Sequence, residues 1–229
     1  MITYGDIISV TKDTQVPLNF SGEANYAGLH MTRHHHPISI TEQEFKILNK
    51  IIVENNLKSG YEVATAFGVS ALAAGLGFKE TGGQLVSMDA YIEEQYNNCG
   101  AYIGRRGVYP NSDGFKSANF LANTFKVIDN VSFEVGWSPD DTRLVLEKHF
   151  NPIRLDYVFI DALHTQEAIV NDLLSIKDFL MDNFIVILHD SISSNSSVKD
   201  ISKILGVNFT SFNTVYSMGG FLKGVTYNV

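Results

Sequence analysis

The sequence predicts an α/β fold, a three-layer sandwich on a mainly parallel sheet that closes with an antiparallel pair of strands. Two observations carry this expectation. From residue 41 onward, short apolar runs alternate with segments of helical period. The strongest run, Leu155–Asp161 (LDYVFID), is apolar on both faces, as a central parallel strand covered by helices on both sides would be.

Residues 1–40 show little periodicity and read as an N-terminal extension or active-site cover. They end in a cluster of His30, Arg33, His34, His35, His36 and Pro37. Adjacent side chains of an extended segment cannot all face one centre, so a surface or locally packed cluster is favoured over a metal site. The main domain is expected over 41–229. Thr41 and Glu44 form a capping box, and Phe45, Leu48, Ile51 and Ile52 recur at helical spacing, which predicts a helix from Thr41 to about Leu57. A strand is predicted at Tyr61–Ala64, a small-residue helix at Val69–Phe78, and a second strand at Gln84–Asp89 after the Gly82–Gly83 turn. A third strand, Val131–Val135, precedes Ser138-Pro139-Asp140-Asp141, where Ser138 can cap a helix reaching about His149. After Leu155–Asp161 come a helix at Gln166–Leu180, a buried strand at Phe184–Leu188 ending in His189-Asp190, and a short helix from Ser197 to Leu205. Phe209–Val225 reads as two antiparallel strands, bringing the expected total to seven. The stretch 90–113 exceeds ordinary loop length and is expected to be a lid or substrate-binding insertion, carrying Tyr91, Tyr96, Tyr102, Tyr109, Arg105 and Arg106.

Composition narrows the function classes. The 229 residues carry a formal charge of −8 and are 45% hydrophobic, which fits a globular chain and disfavours a nucleic-acid backbone as partner. No apolar run approaches the roughly 18 residues of a membrane helix, and the first residues lack the basic and apolar regions of a signal peptide. A cytoplasmic location without membrane partner is therefore expected. The single cysteine, Cys99, excludes an intrachain disulfide and a cysteine-rich zinc site. A homo-oligomer and a monomer both stay open.

In an open α/β sheet, ligands bind beyond the carboxyl ends of the strands. Polar residues gather there: Glu62 and Thr65, Asp89, Gly136-Trp137-Ser138, Asp161, and His189-Asp190. The turn Glu62–Gly68 (EVATAFG) is built of small residues at a helix start, a setting for close backbone approach and electronegative groups. It has neither the lysine of a phosphate-binding loop nor the three-glycine dinucleotide fingerprint. Asp89 is placed to accept hydrogen bonds from a ribose diol. Asp161, His164, His189 and Asp190 form a second constellation. It suits either a histidine base or a divalent cation such as Mg²⁺ that lowers the pKa of a bound hydroxyl.

The run Tyr61–Leu76 (YEVATAFGVSALAAGL) resembles the cofactor loop of class I S-adenosylmethionine-dependent methyltransferases. Leu155–Asp190 is similar to the macrocin O-methyltransferase and cephalosporin-hydroxylase-like branch of that family. With Leu85–Asp89 and Val131–Ser138, the resemblance spans about residues 41–225. It implies a Rossmann-like methyltransferase sandwich with a seven-stranded sheet and an O-methyltransferase activity on a small molecule or sugar hydroxyl. It further implies that Glu62, Ala64, Thr65, Gly68 and Ser70 surround the methionine moiety of the cofactor. Asp89 and Ala90 would hold the ribose, and Gly136, Trp137 and Ser138 would border the adenine. Asp161 stands between the cofactor and a metal corner of Asp161, His189 and Asp190. His164, His189 and Asp161 are the candidate catalytic side chains, and Arg105 and Arg106 read either as a site for a carboxylate or phosphate of the acceptor or as two solvated arginines. Two departures stand out: Ala64 falls where the family usually carries glycine, and His189 where some metal-dependent relatives carry an acid. The alternative readings are another Rossmann-like enzyme (metal-assisted or a dehydrogenase) and a non-catalytic nucleoside-binding protein.

Overall fold

A computed structural model of the chain describes residues 5–7, 40–90, 113–190 and 195–227. The His34–His36 cluster and the aromatic and arginine residues expected in the 90–113 insertion lie outside the described residues, as does Cys99.

Helix α1 (Glu42–Glu54) starts at the expected box, with the Thr41 hydroxyl accepting from the Glu44 N–H and Glu44 accepting from the Thr41 N–H. It stops three residues before the expected Leu57, because Asn55 caps it and Asn56 turns left-handed at φ 51°. Then follow β1 (Ser59–Val63), α2 (Val69–Thr81), β2 (Gln84–Asp89), α3 (Asp113–Thr124) and β3 (Val131–Val135). The second half comprises α4 (Thr142–His149), β4 (Leu155–Ile160), α5 (Gln166–Ile176), β5 (Leu180–Leu188), α6 (Asn195–Leu205), β6 (Phe209–Ser211) and β7 (Gly219–Lys223).

The seven strands form one sheet in the order β3-β2-β1-β4-β5-β7-β6. The first five run parallel, and β7 is antiparallel to both β5 and β6. Helices α1, α2 and α3 pack on one face with Tyr157, Phe159, Ile185 and Ile187. The opposite face, with Tyr61, Val86, Val158 and Val186, is covered by α4, α5 and α6. All six residues of β4 are buried: five are apolar or aromatic, and the sixth, Asp156, accepts the Lys58 and Ser59 N–H at 2.8 and 2.9 Å.

Four expectations shift. The helix after β3 begins at Thr142, not next to Ser138, because the Asp141 carboxylate is taken up by the Trp137 N–H at 2.8 Å and closes a tight loop first. The helix expected over Gln166–Leu180 ends at Ile176; residues 177–179 tighten into a 3₁₀ turn, and Leu180 already belongs to β5. That strand accordingly begins four residues earlier than Phe184. Helix α3 was not anticipated, although Ala118, Leu121 and Ala122 are buried along it at helical spacing.

Chain order puts the switch point beside β1: the connections out of β1 run to β2 on one side, while β4 pairs with it on the other. A crevice at that point, beyond the strand ends, is where this architecture receives ligands.

Candidate active site

The loop after β1 is the first wall of the crevice. Its tight path is set by three left-handed residues, Ala64 (φ 72°), Ala66 (φ 46°) and Gly68 (φ 84°). The Ala64 N–H donates to the Met88 carbonyl at 2.9 Å, tying the loop to β2. Glycine is required at position 68, since a Cβ there would lie 2.6 Å from the Ala118 Cα of α3. At Ala64 the left-handed backbone carries a side chain and its steric cost. Ala64→Gly should therefore raise stability by about 0.5–1 kcal/mol, the relieved strain exceeding the entropy glycine adds to the unfolded chain. A urea midpoint lower than wild type would contradict this.

Below the loop sits a small buried polar cluster. Thr65 Oγ1 lies 2.6 Å from Ser87 Oγ, which donates to Glu62 Oε2 at 2.5 Å. Glu62 is 1% exposed, and its Oε1 has no hydrogen-bond partner among the described residues. Burial pushes this carboxyl up to about 7 against the pull of the Ser70 and Ser87 hydroxyls, with Asp161 and Asp89 adding to the rise. Ser70 is buried in the first turn of α2.

Asp89 closes β2 and accepts the Ala66 N–H at 2.8 Å, so it also holds the β1 loop. Ala90 is half-buried beside it. Gly136 follows β3, its N–H on the Asp89 carbonyl at 3.0 Å; a Cβ would press within 2.8 Å of Met88 Sδ. Trp137 is half-buried in the same loop. The Ser138 hydroxyl turns away and donates to Asp172 on α5 at 2.5 Å. Asp172 is buried, which drives its carboxyl up to about 6 despite that bond. Ser138 thus anchors the loop through its side chain.

Asp161 is on the other side of β1, its N–H on the Val63 carbonyl. Its Oδ1 meets His189 Nδ1 at 3.1 Å and His164 Nε2 at 3.3 Å. Burial would raise this carboxyl, but His164 and His189 outweigh it and hold it below the usual range. Asp190, left-handed at φ 51°, brings its Oδ2 to 3.7 Å from His164 Nε2 and 3.6 Å from His189 Nδ1. Ligand atoms of Asp161, His164 and Asp190 all lie within 4.8 Å of one another.

His189 is 4% exposed and lies beneath that trio. Its second nitrogen, Nε2, is 3.4 Å from Glu44 Oε2, which comes from the capping box of α1. Burial opposes a charge on this ring, yet Asp161, Asp190 and Glu44 together push its pKa up to about 12. The ring also packs against Phe159 and Tyr216. Glu44 is the residue the sequence reading missed: its pattern marked it as a helix cap and gave no sign that the helix start abuts the end of β5.

The structure therefore places the expected residues after β1, β2, β3, β4 and β5 at the carboxyl ends of these parallel strands, with acids on both sides of the β1 loop and the Ser138 hydroxyl directed away to α5. A seven-stranded sheet of this order with such a rim defines a Rossmann-like class I methyltransferase fold. The family model described as "Methyltransferase domain" matches residues 62–191, more than half of the chain, and the chain belongs to that family. Cofactor-bound Rv0187 from MTB is similar in structure at 16% identity, TM-score 0.62, covering 99% of this chain and 100% of that one. TomG, an O-methyltransferase from Streptomyces achromogenes involved in tomaymycin synthesis and solved with SAM, matches at 16% identity and TM-score 0.59 over 82% and 83% of the two chains. An O-methyltransferase from Bacillus cereus, in complex with SAH, matches at 14% identity and TM-score 0.57 over 81% and 83%. No curated protein sequence matches. No helix among the described residues is long and apolar enough to cross a membrane.

Proposed function

We propose that this methyltransferase moves the methyl group of S-adenosylmethionine to a hydroxyl of a small molecule or sugar. The observation that carries the reading is the pairing, across β1, of an acidic cofactor cradle with a histidine–carboxylate corner. S-adenosylmethionine bears a sulfonium and an ammonium, and the cradle offers Glu62, Asp89 and Asp161 to them and to the ribose. Glu62 Oε1, buried and without a hydrogen-bond partner among the described residues, fits such a donor. When bound, the cofactor supplies an activated methyl group; the carbon–sulfur bond breaks as the oxygen–carbon bond forms, and the acceptor proton must leave.

The corner is suited to that proton. His164 is part-exposed at the rim, and the Asp161 carboxylate raises its pKa above the ordinary histidine value, against burial. It can accept the hydroxyl proton and share the charge with Asp161. His189 differs in having a carboxylate oxygen within 3.4 Å of each ring nitrogen in a buried site. Held as a cation, it orients Asp161 and is not the base. Asp161, His164 and Asp190 also make a mixed oxygen and nitrogen donor set, which suits Mn²⁺, Fe²⁺ or Zn²⁺ better than the all-oxygen preference of Mg²⁺; such a cation would acidify the acceptor hydroxyl. His189, named as a ligand from the sequence, gives way to His164 in this set.

Isothermal titration with S-adenosylmethionine and S-adenosylhomocysteine, with and without Mg²⁺, tests the reading. Saturable binding of both supports it, and binding of neither overturns it. The same titration carries a pH expectation. A cationic cofactor favours ionised Glu62, so below the apo value of about 7 a proton must be displaced on binding. S-adenosylmethionine affinity should fall from pH 8 to pH 6, by up to about tenfold per unit once below that value. Buffers of different ionisation heat should reveal proton release near pH 6.5, and Glu62→Gln should abolish it. A pH-independent affinity would remove Glu62 from the cofactor site.

A further inference from the structure

We infer that Glu44, at the start of α1, is a positioning residue for the Asp161 corner, acting through the His189 imidazole. The inference rests on the reading of that corner as the acceptor-activating part of the site. Glu44 is 0% exposed, an unusual place for a carboxylate whose only task would be to cap a helix. Its Oε2 accepts from the Thr41 N–H at 2.7 Å and the Thr41 hydroxyl at 3.0 Å, and the same oxygen faces His189 Nε2 at 3.4 Å. The chain of contacts then runs from His189 Nδ1 to Asp161 Oδ1 and on to His164 Nε2.

An imidazole with one nitrogen on Asp161 and nothing opposite could rotate about its side-chain bonds. Glu44 supplies a carboxylate opposite, at an ion-pair distance of 3.4 Å and outside hydrogen-bond geometry, so the ring lies between two carboxylates on different layers of the fold. The Asp161 oxygen shared by both histidines is thereby held in one direction. Helix α1 lies wholly outside the residues 62–191 that define the family match, so this back wall is a contribution of the N-terminal helix to the site.

Two variants separate positioning from mere capping. Glu44→Gln keeps an amide oxygen for Thr41 and removes the charged partner of His189. Thr41→Val removes the capping hydroxyl and leaves the carboxylate facing His189. Proton NMR of the full-length chain, with chelator present, reads the Nδ1–H of His189 as a downfield, slowly exchanging imidazole proton, assigned by its absence in His189→Ala. It should persist in Thr41→Val and be lost or exchange at least tenfold faster in Glu44→Gln, while S-adenosylhomocysteine affinity stays within twofold in both. An unchanged imidazole proton in a folded Glu44→Gln would overturn the inference. Equal loss in both variants would also overturn it, by assigning the effect to the helix cap. Failure of the wild type to bind S-adenosylhomocysteine would strike the functional reading and leave the NMR comparison standing.

Discussion

Asp89→Ala should weaken S-adenosylhomocysteine binding by about 10- to 100-fold while leaving the chain folded. A carboxylate accepting from ribose hydroxyls makes charge-assisted hydrogen bonds, and losing one costs about 1.5–3 kcal/mol, with each 1.4 kcal/mol a factor of ten. Asp89 has a second task, since its Oδ2 holds the Ala66 N–H at 2.8 Å in the left-handed turn of the β1 loop. The alanine variant therefore loses both a ligand contact and part of the loop's preorganisation. Asp89→Asn keeps an acceptor for Ala66 and should retain more affinity than alanine does. The group lies half-buried at a strand end, so the urea midpoint should move little, by about 1 kcal/mol at most for the lost loop bond. Titration calorimetry of the two variants against wild type decides it. Unchanged affinity in Asp89→Ala would remove the ribose assignment and shift weight to Glu62 alone.

The strands were legible because burial leaves a strong mark. Asp156 aside, LDYVFI and the run Phe184–Leu188 are apolar on both faces, and only the middle of a covered sheet requires that. The polar residues at their carboxyl ends then fell on one rim by topology, without any knowledge of side-chain direction. Helix boundaries were less legible where a side chain had two possible uses. Ser138 reads as a cap in sequence, yet its hydroxyl is committed to Asp172, and Asp141 is committed to the Trp137 N–H, so α4 starts later. The same ambiguity hid Glu44. A capping-box glutamate satisfies its local rule completely, and the contact with His189 spans 145 positions of sequence to a strand end that no local pattern connects to α1. The choice between His164 and His189 was equally beyond local reasoning. It depends on which ring has carboxylates at both nitrogens, a property of the packed site.

His189→Ala should be the most destabilising of these substitutions, by about 3–5 kcal/mol, because removing one member of a buried charge cluster strands the others. Glu44 is fully buried and held down to about 2: burial would raise it, but the nearby His189 ring and the Thr41 bonds prevail. Without the ring, that carboxylate must protonate or draw in water. The double variant with Glu44→Gln should recover part of the loss, giving a coupling of at least about 1 kcal/mol in a double-mutant cycle. Acidity gives an independent check. The His189 pKa rises from 6.5 to about 12 on folding, so its contribution is complete below pH 6.5 and is lost as pH climbs toward 12. Between pH 7.5 and 9 the folded chain holds one proton more than the unfolded one at this site, and unfolding free energy should fall by about 1.4 kcal/mol per unit. Glu62 and Asp172, raised to about 7 and about 6, complete most of their titration below that window. The lowered carboxylates Glu44 and Asp161 have the opposite sign, their contribution being lost as pH falls below the ordinary carboxylate range. The His189→Ala, Glu44→Gln double variant, measured in chelator, is the reference, because it lacks both the ring and the carboxylate that loss of the ring would leave to protonate. Urea titrations at pH 7.5, 8.25 and 9 suffice. Parallel profiles for the two proteins would mean that the ring is neutral in the folded chain, and that Asp161 faces the acceptor without a cation behind it.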